Sequence, residues 1–273
     1  MYELKEMTHS AEDNARMLKV NGRSHINYKM YTSMQKALDF ALTGTIILSD
    51  GSVWNDMEDR EQMQNKKIFA KCMSFSTREN VANWMLYGDQ LGKNGAMINL
   101  KKAAIDEILN TSTVSIAEVY SNKIEEKRVL SKNDNEFEIF MTDIVYCDEN
   151  KTKDSVSITY YDKSRDLKCH LFENRDIFKK KYEWAYEKET RLVVRPFEEA
   201  SKYIEELKKK AEPKEEKTEE EKTKEEKPYI AIIVNVSKKN RNDASRIVHS
   251  PVFKGGVFYG KPSELTGNVD WNL

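Results

Sequence analysis

The sequence predicts an α+β protein, a single domain with a central, mostly antiparallel mixed sheet flanked by helices. Residues 45–49 (TIILS) and 229–236 (YIAIIVNV) are apolar runs rich in β-branched side chains, which predicts buried strands. Between residues 113 and 170, shorter alternating segments are separated by polar turns, a pattern typical of an antiparallel meander. Residues 34–42 have apolar side chains at helical spacing, which predicts a helix that covers the sheet.

The N-terminal half predicts strands that alternate with helices. Composition and alternation predict strands at residues 24–31, 45–49, 67–76 and 96–100. Helical spacing predicts helices at residues 34–42, 77–91 and 101–110. Thr32 or Ser33 would cap the first helix, and Gly44 would end it because glycine accepts the left-handed conformation. Ser76 and Glu79 match a capping box at the start of the second helix.

The C-terminal half predicts the remaining strands and a charged insertion. Strand candidates lie at residues 116–120, 138–141, 144–147 and 156–161, followed by a helix at residues 177–186. Residues 203–228 are dominated by Glu and Lys, so we expect a disordered or solvated helical insertion. The apolar strand that follows needs the upstream sheet to pair with. One domain therefore spans residues 23–202 and 229–273, after a polar lead-in at residues 1–22.

Composition argues against several classes of protein. The 45 basic and 46 acidic side chains give a net charge of -1, which provides no overall attraction to nucleic acid. The three cysteines lack CxxC spacing and the four histidines are dispersed, which argues against a zinc site and favours a reducing compartment. Because neither an apolar run of about 18 residues nor a signal-like N-terminus is found, we expect a cytoplasmic protein without membrane contact.

Several catalytic and cofactor motifs are missing from the sequence. It contains no GxxxxGK[ST] phosphate loop, no GxGxxG fingerprint and no GxSxG nucleophile elbow. Asp56 and Glu58 follow Trp54 and have two interpretations, a divalent-cation site or the local hydrogen bonding of a turn. The turn is the commoner role for such residues, so we expect no metal.

Residues 181–195 (KYEWAYEKETRLVVR) contain the strongest candidate site. The second half of this stretch has strand composition, and strand alternation places Glu187, Glu189 and Arg191 on one face. Two carboxylates and a guanidinium beside a Trp and a Tyr form either a functional site or a solvated, ion-paired strand face. Structural ion pairs are common, so these residues alone favour the second interpretation.

The order of the motifs resembles an intracellular bacterial and phage family catalogued as domain of unknown function 2971. The resemblance rests on Ser49, Trp54-Asn55-Asp56-Met57-Glu58, Ser74-Phe75-Ser76, Trp84-Met85-Leu86-Tyr87, Gly95-Ala96-Met97-Ile98 and Trp184-Ala185-Tyr186-Glu187-Lys188-Glu189-Thr190-Arg191. The order and spacing agree with the family over roughly residues 24–250. Met57, Ser74 and Asn83 depart from the Pro, Cys and Met that are usual in the family. The resemblance implies family membership but no activity.

A fainter resemblance in layout is to NAD-dependent ADP-ribosyltransferases, which include toxins that modify nucleic acid. Those enzymes have an Arg or His on a first strand, a Ser at the end of a later strand, and a catalytic Glu on a late strand. Here His25 or Tyr28, Ser49 and Glu189 would take these places, with Leu192-Val193-Val194 after the Glu. The resemblance implies an ADP-ribosyltransferase-like fold.

The same resemblance implies NAD as co-substrate, with Glu189 and next Glu187 as catalytic residues. A carboxylate would stabilise the oxocarbenium character that develops when the nicotinamide–ribose bond breaks. The implied cofactor-binding residues are His25, Tyr28, Ser49, Trp54 and Arg191. The acceptor would be nucleic acid or protein, and the chain would act as a toxin or phage-defence effector with a cognate antitoxin as a candidate partner. The alternative is a non-catalytic recognition module in bacterial defence.

Overall fold

The structure, a computed structural model, describes residues 2–4, 25–54, 57–65, 67–88, 94–121, 123–147, 158–162, 167–172, 179–211, 227–241, 247–249 and 261–262. Within these ranges the chain forms sixteen β-strands, six α-helices and one 3-10 helix. Of the helices in these ranges, none is long and apolar enough to cross a membrane.

The strands in chain order are β1 (Tyr2–Leu4), β2 (Asn27–Ser33), β3 (Thr45–Ser49), β4 (Phe69–Ser74), β5 (Gly95–Lys101), β6 (Thr113–Val119), β7 (Ile124–Ser131), β8 (Phe137–Asp143), β9 (Val145–Cys147), β10 (Ile158–Asp162), β11 (Leu167–Phe172), β12 (Lys179–Lys181), β13 (Glu189–Pro196), β14 (Tyr229–Asn235), β15 (Ile247–His249) and β16 (Lys261–Pro262). The helices are α1 (Met34–Thr43), α2 (Met57–Asn65), α3 (Val81–Tyr87), α4 (Lys102–Leu109), α5 (Glu198–Ala211) and α6 (Lys238–Arg241). The 3-10 helix Tyr182–Glu187 connects β12 to β13.

Eleven strands form one sheet that branches at β4. One path has the order β16-β15-β5-β2-β4-β3-β14-β6-β7, and β13 pairs with both β4 and β8. The pairings in this sheet are antiparallel apart from β15 with β16. Two smaller sheets have the orders β1-β10-β11 and β12-β9. The predicted α+β class with a large, mostly antiparallel sheet flanked by helices is confirmed.

The main core lies on one face of the large sheet. Alternate residues of the central strands, such as Leu48, Leu192 and Ile232, are fully buried there. Helices α1, α4 and α5 supply the opposing apolar side chains Ala37, Phe40, Ala104, Ile105, Ile108, Leu109, Ala200, Ile204 and Leu207. On the opposite face, Trp84 of α3 is fully buried against Met97 and Val248. Helix α3 therefore covers the opposite face of the sheet at β5 and β15.

Helix α1 begins and ends where the sequence predicts, but α3 does not. The Ser33 hydroxyl caps α1 by accepting from the Lys36 backbone N–H at 3.3 Å. Helix α3 begins at Val81, and Asn80 caps it by accepting from the Ala82 N–H at 2.8 Å. The predicted capping box at Ser76 is wrong, because the Glu79 carboxylate accepts from the Trp84 indole at 2.9 Å instead of turning back to the chain.

The C-terminal half differs from the prediction in three places. Strands β7 and β11 have no counterpart among the predicted elements, and in β7 four consecutive charged residues, 125–128, interrupt the alternation. Helix α5 includes residues 203–211 of the predicted insertion, and its buried Ile204 and Leu207 anchor it to the core. Residues 212–226 lie outside the described residues. The helix predicted at residues 177–186 is instead β12 followed by the 3-10 helix, with residues 177–178 outside the described part.

The residues of the predicted lead-in are described only in part. Tyr2–Leu4 forms β1, which pairs with β10, and residues 5–22 lie outside the described part of the chain.

We expect Gly44→Ala to destabilise the protein by about 2 to 4 kcal/mol, because left-handed backbone and overpacking both cost free energy. Gly44 has a φ of 76°, and an added Cβ would lie 2.2 Å from the Val236 carbonyl oxygen. Urea denaturation would measure the loss. Gly44→Asn is the matched control, since Asn tolerates the left-handed conformation but keeps the Cβ. Wild-type stability of the Asn variant would show that the close approach to Val236 does not matter.

Candidate active site

A cavity of about 1250 Å³ opens where β2 and β3 diverge from β4. Strand β13 pairs with β4 along its whole length, so β2 and β3 share the other edge of β4. Each of them pairs with β4 at one position, Lys29 with Ser74 and Ser49 with Ala70. Residues of all three strands and of α1 line the cavity between these two positions. The branch in the sheet therefore creates the cavity.

A buried ion cluster lies at one wall of this cavity. Glu189 and Arg191 are on the same face of β13, and the Arg191 Nε donates to Glu189 Oε1 at 2.6 Å. A second guanidinium nitrogen of Arg191 donates to Asp59 of α2 at 2.7 Å. Arg191 is fully buried and the two carboxylates are almost so. The predicted alternative of a solvated strand face is therefore wrong.

Lys180 joins the three carboxylates of the cluster. Its ammonium lies 3.1 Å from Asp59, 2.9 Å from Glu187 and 2.8 Å from Glu189. Three acids and two bases leave a formal charge of -1 when all five side chains are ionised. Because buried charges need partners, each member of the cluster depends on the others.

The backbone before β13 turns so that Glu187 faces the cluster. Glu187 ends the 3-10 helix, and Lys188 follows in the left-handed conformation with a φ of 46°. The Ser74 hydroxyl donates to the Glu187 carbonyl at 2.7 Å, and the Phe75 N–H donates to the Lys188 carbonyl at 2.9 Å. Strand alternation predicts that Glu187 is part of the strand, but it lies at the end of the 3-10 helix. Its side chain is nevertheless close to that of Glu189.

The environments of the two glutamates push their pKa values in opposite directions. Burial raises the pKa of Glu187, and the charge of Glu189 adds to this effect while Lys180 opposes it. Burial also acts on Glu189, but Arg191 and Lys180 outweigh it and lower the pKa of Glu189. Burial opposes the charge on Lys180, and the surrounding carboxylates nevertheless raise its pKa. At neutral pH the cluster thus has an anionic Glu189 and a more basic Glu187.

Aromatic and hydroxyl groups surround the ion cluster. Trp54 lines the cavity, its indole N–H donates to the Ser49 hydroxyl at 2.8 Å, and Arg191 lies 5.0 Å from its ring centroid. The Tyr87 hydroxyl donates to Glu187. Lys180 lies 5.4 Å from the ring centroid of Trp184. The wall therefore combines fixed charges with aromatic surfaces.

The thiol of Cys72 also lines the cavity, on β4 opposite Arg191. Burial, followed by the charge of Glu189, raises the pKa of Cys72 well above its usual value. The thiolate is the nucleophilic form of cysteine, and the raised pKa favours the less reactive thiol at Cys72.

The structure brings together four of the seven predicted site residues at the cavity. Glu187, Glu189, Ser49 and Trp54 line it. The other three predicted site residues, Arg191, Tyr28 and His25, are not among the residues that line it.

Each of these three residues is held away from the cavity by its own contacts. Arg191 is fully buried and donates to Glu189 and Asp59, so it does not line the cavity as a cofactor-binding residue would. Tyr28 is fully buried in the main core. His25 is stacked on Phe75 and paired with Asp143 at 2.8 Å.

Asp59, Lys180 and Tyr87 belong to the site but are not predicted from the sequence. Asp59 directly follows Glu58 in the sequence, and only the position of α2 shows that Asp59 pairs with Arg191. Lys180 is the middle of three consecutive lysines, and its pairing across from Tyr146 in β9 selects it. For Tyr87, the one signal in the sequence is its i, i+3 spacing from Trp84, which predicts that both side chains lie on the same face of α3.

The interpretation of Asp56 and Glu58 lies outside what the structure describes, since residues 55 and 56 and the Glu58 side chain are not described. Among the described residues, no group of three or more His, Cys, Asp or Glu side chains has an arrangement suited to a metal ion. Within the ion cluster, the Lys180 ammonium occupies the centre of the three carboxylates.

Comparisons of the chain with protein-family models, with curated proteins and with solved structures found no match. The resemblances to domain of unknown function 2971 and to ADP-ribosyltransferases therefore stay predictions.

We expect Lys180→Met to destabilise the protein by about 3 to 5 kcal/mol at pH 7.5, because it removes a cation that pairs with three buried carboxylates. Burial raises the pKa of Glu187 and Lys180 opposes this effect, so the pKa of Glu187 should rise further in the variant. Glu187 of the variant then takes up a proton as the pH falls, which relieves its buried charge, and the difference in the free energy of unfolding between wild type and variant should narrow from pH 7.5 to pH 5. Urea denaturation at both pH values measures it.

Lys102→Met is the matched control for this experiment. Lys102 pairs with Asp106 at 2.8 Å on the exposed side of α4. An exposed pair contributes about 0.5 kcal/mol or less, and its loss should not depend on pH in this range. A Lys180 variant that behaved like the Lys102 variant would contradict the energetic role of the cluster.

Proposed function

We propose that the protein is an NAD-dependent ADP-ribosyltransferase whose active site is the cavity between β2 and β3. The observation that carries the proposal is the pair of glutamates, Glu189 held anionic and Glu187 with a raised pKa, at the wall of a large cavity. Two carboxyls whose environments separate their pKa values are the usual arrangement for acid–base work around a glycosidic bond.

Glu189 is the group suited to stabilise positive charge on the ribose. Its Oε1 accepts from Arg191, while Oε2 lies 2.8 Å from Lys180 without hydrogen-bond geometry. A ribose hydroxyl would donate to Oε2 by displacing its close contact with the Lys180 ammonium. When nicotinamide leaves with the bonding electron pair, the oxocarbenium-like ribose gains from this fixed negative charge.

Glu187 is placed to take the proton from the acceptor nucleophile. The pKa of Glu187 is raised toward neutral pH, which makes it a stronger base than an ordinary glutamate and favours proton transfer to it. The Tyr87 hydroxyl and the Lys180 ammonium hold its two oxygens and fix its orientation. Glu187 thus orients and deprotonates, while Glu189 stabilises charge.

Other lining residues suit the remaining parts of NAD. Trp54 offers an aromatic surface beside Ser49, and Tyr31 presents a second ring from β2, in place of the buried Tyr28. Lys36 and Lys71 also line the cavity, and neither makes an ion pair with a described residue. Burial and the charge of Lys36 lower the pKa of Lys71, so a bound pyrophosphate would stabilise both ammonium groups.

The acceptor in this proposal is a nucleic acid or a protein, and the biological role is that of a toxin or phage-defence effector. An ADP-ribosyltransferase-like fold would suit this role. The family assignment to domain of unknown function 2971 is part of the same proposal.

A second candidate function is a recognition module without catalysis. The observation that favours it is that both oxygens of Glu189 lie within 2.8 Å of a cation, as in a structural ion cluster. In that case the cavity binds a partner and the cluster only holds the sheet branch in place. The next experiment separates the two candidates.

We expect purified wild-type protein to release nicotinamide from NAD or to transfer labelled ADP-ribose to a component of a cell lysate. Glu189→Gln should lower this rate by about 100-fold or more, because one fixed charge at the transition state is lost. Circular dichroism and urea denaturation check that the variant is folded. Glu138→Gln is the matched control, since Glu138 on β8 pairs with Arg195 at 2.7 Å and does not line the cavity.

Two outcomes would contradict the enzyme. One is a wild-type protein that neither releases nicotinamide nor transfers label in protein and nucleic-acid fractions. The other is equal activity in the Glu189→Gln and Glu138→Gln variants.

We expect the double variant Lys36→Gln, Lys71→Gln to raise the KM for NAD by about 10-fold with little change in kcat, because remote phosphate contacts bind substrate and transition state alike. Steady-state kinetics of nicotinamide release measure both constants. Lys102→Gln provides the control for loss of an exposed lysine. An unchanged KM in the double variant would remove these lysines from the site.

A further inference from the structure

Asn83 is a buried amide in the cavity wall with no hydrogen bond to explain it. The residue is 2% exposed, lines the cavity, and its Oδ1 has no hydrogen-bond partner among the described residues. Buried side-chain amides are nearly always hydrogen-bonded, since leaving them unpaired is unfavourable. An unpaired buried amide in the wall of a cavity therefore indicates a group that hydrogen-bonds to a ligand.

Its neighbours show that the amide is not needed to build the helix. The start of α3 is capped by Asn80, which accepts from the Ala82 N–H at 2.8 Å. The two other polar side chains of α3 also have partners, Trp84 with Glu79 and Tyr87 with Glu187. Asn83 lines the cavity, and its buried Oδ1 makes no hydrogen bond with the described part of the chain.

A side-chain amide presents an acceptor and a donor side by side in one plane. The complementary ligand group has the same pair in reverse, as in a carboxamide or in the N6/N7 edge of adenine. A phosphate or a sugar hydroxyl does not match both atoms in one plane. Asn83 therefore suits a planar amide-like edge.

The position of Asn83 on α3 favours the carboxamide. Asn83 and Tyr87 are four residues apart, so they lie on the same side of the helix, about 6 Å apart along its axis. Tyr87 holds Glu187, one of the two glutamates at the proposed bond cleavage. A group bound by Asn83 is thus near the reacting bond, where the nicotinamide ring of NAD would be.

We infer that Asn83 recognises the carboxamide of the nicotinamide ring, an inference that rests on the proposed function and names its specificity residue. Asn83 binds and orients the leaving group and takes no part in proton transfer. The unpaired amide in the ligand-free protein is the cost of this recognition, because a site built to bind an amide keeps its polar atoms unpaired until the ligand arrives.

The test compares wild type with Asn83→Leu, which removes the polar atoms and keeps a side chain of similar size. Binding of nicotinamide, of AMP and of NAD is measured by ligand-observed NMR and calorimetry, and thermal unfolding is measured without ligand. We expect Asn83→Leu to weaken nicotinamide binding by at least about 10-fold, since an unmatched amide edge loses its hydrogen bonds. We also expect its ligand-free Tm to equal or exceed that of wild type, since replacing an unsatisfied polar group by an apolar one is neutral or stabilising.

Asn99→Leu is the matched control. The Asn99 Oδ1 on β5 is also buried without a hydrogen bond among the described residues, but Asn99 does not line the cavity. Its replacement should leave nicotinamide binding unchanged. Asn83→Asp provides a conservative variant that keeps the acceptor and loses the donor, and we expect intermediate or lost binding from it.

Each outcome decides the inference. Unchanged nicotinamide binding in Asn83→Leu, or a ligand-free Tm below that of wild type, overturns it, because the amide is then either irrelevant or structural. Loss of AMP binding with nicotinamide binding retained overturns the carboxamide assignment in favour of adenine. If nicotinamide binding depends on Asn83 but the wild-type protein does not cleave NAD, the inference is supported and the proposed transferase activity is overturned. Cleavage of NAD that is insensitive to Asn83→Leu leaves the transferase and overturns the inference.

Discussion

The ammonium of Lys180, buried among three carboxylates, is the interaction on which the cavity wall depends. It connects α2, the 3-10 helix and β13 through Asp59, Glu187 and Glu189. Without it, three acids and one guanidinium would share a buried volume with strong repulsion. Arg191 separates the pKa values of the two glutamates, because Lys180 stabilises both anions while only Glu189 has Arg191 as a second cation. Lys180 thus holds the wall together, and Arg191 makes its two acids different.

The branch of the sheet at β4 explains why this wall faces a cavity. Because β13 occupies one edge of β4 completely, β2 and β3 compete for the other edge, and each pairs at one position only. The backbone edge of β4 between Ala70 and Ser74 therefore faces the opening instead of a neighbouring strand. A continuous ladder of β2 along β4 would close the cavity and cover the ion cluster.

The sequence could predict the fold class and much of the candidate site, but not the partners of the site residues. Strands β3 and β14 are long apolar runs, and α1 has both of its caps, so local signals identify them. The sequence predicts Glu187 and Glu189 as site residues because they lie close together in it. It does not predict Asp59, because its partner Arg191 is 132 residues away and only the fold joins them. Tyr28 is predicted to bind the cofactor but is buried in the main core, and the sequence does not show which face of β2 packs there.

Strand β14 determines when the wall of the cavity can form during synthesis. It lies between β3 and β6 and pairs with both, although it follows the Glu/Lys-rich stretch in the sequence. Until β14 has left the ribosome, β3 lacks this neighbour and the wall of the cavity that contains Ser49 is incomplete. Pairing over such long separations is also slow. The strands around the cavity therefore cannot all pair until residues 229–235 have been made, well after β3 itself.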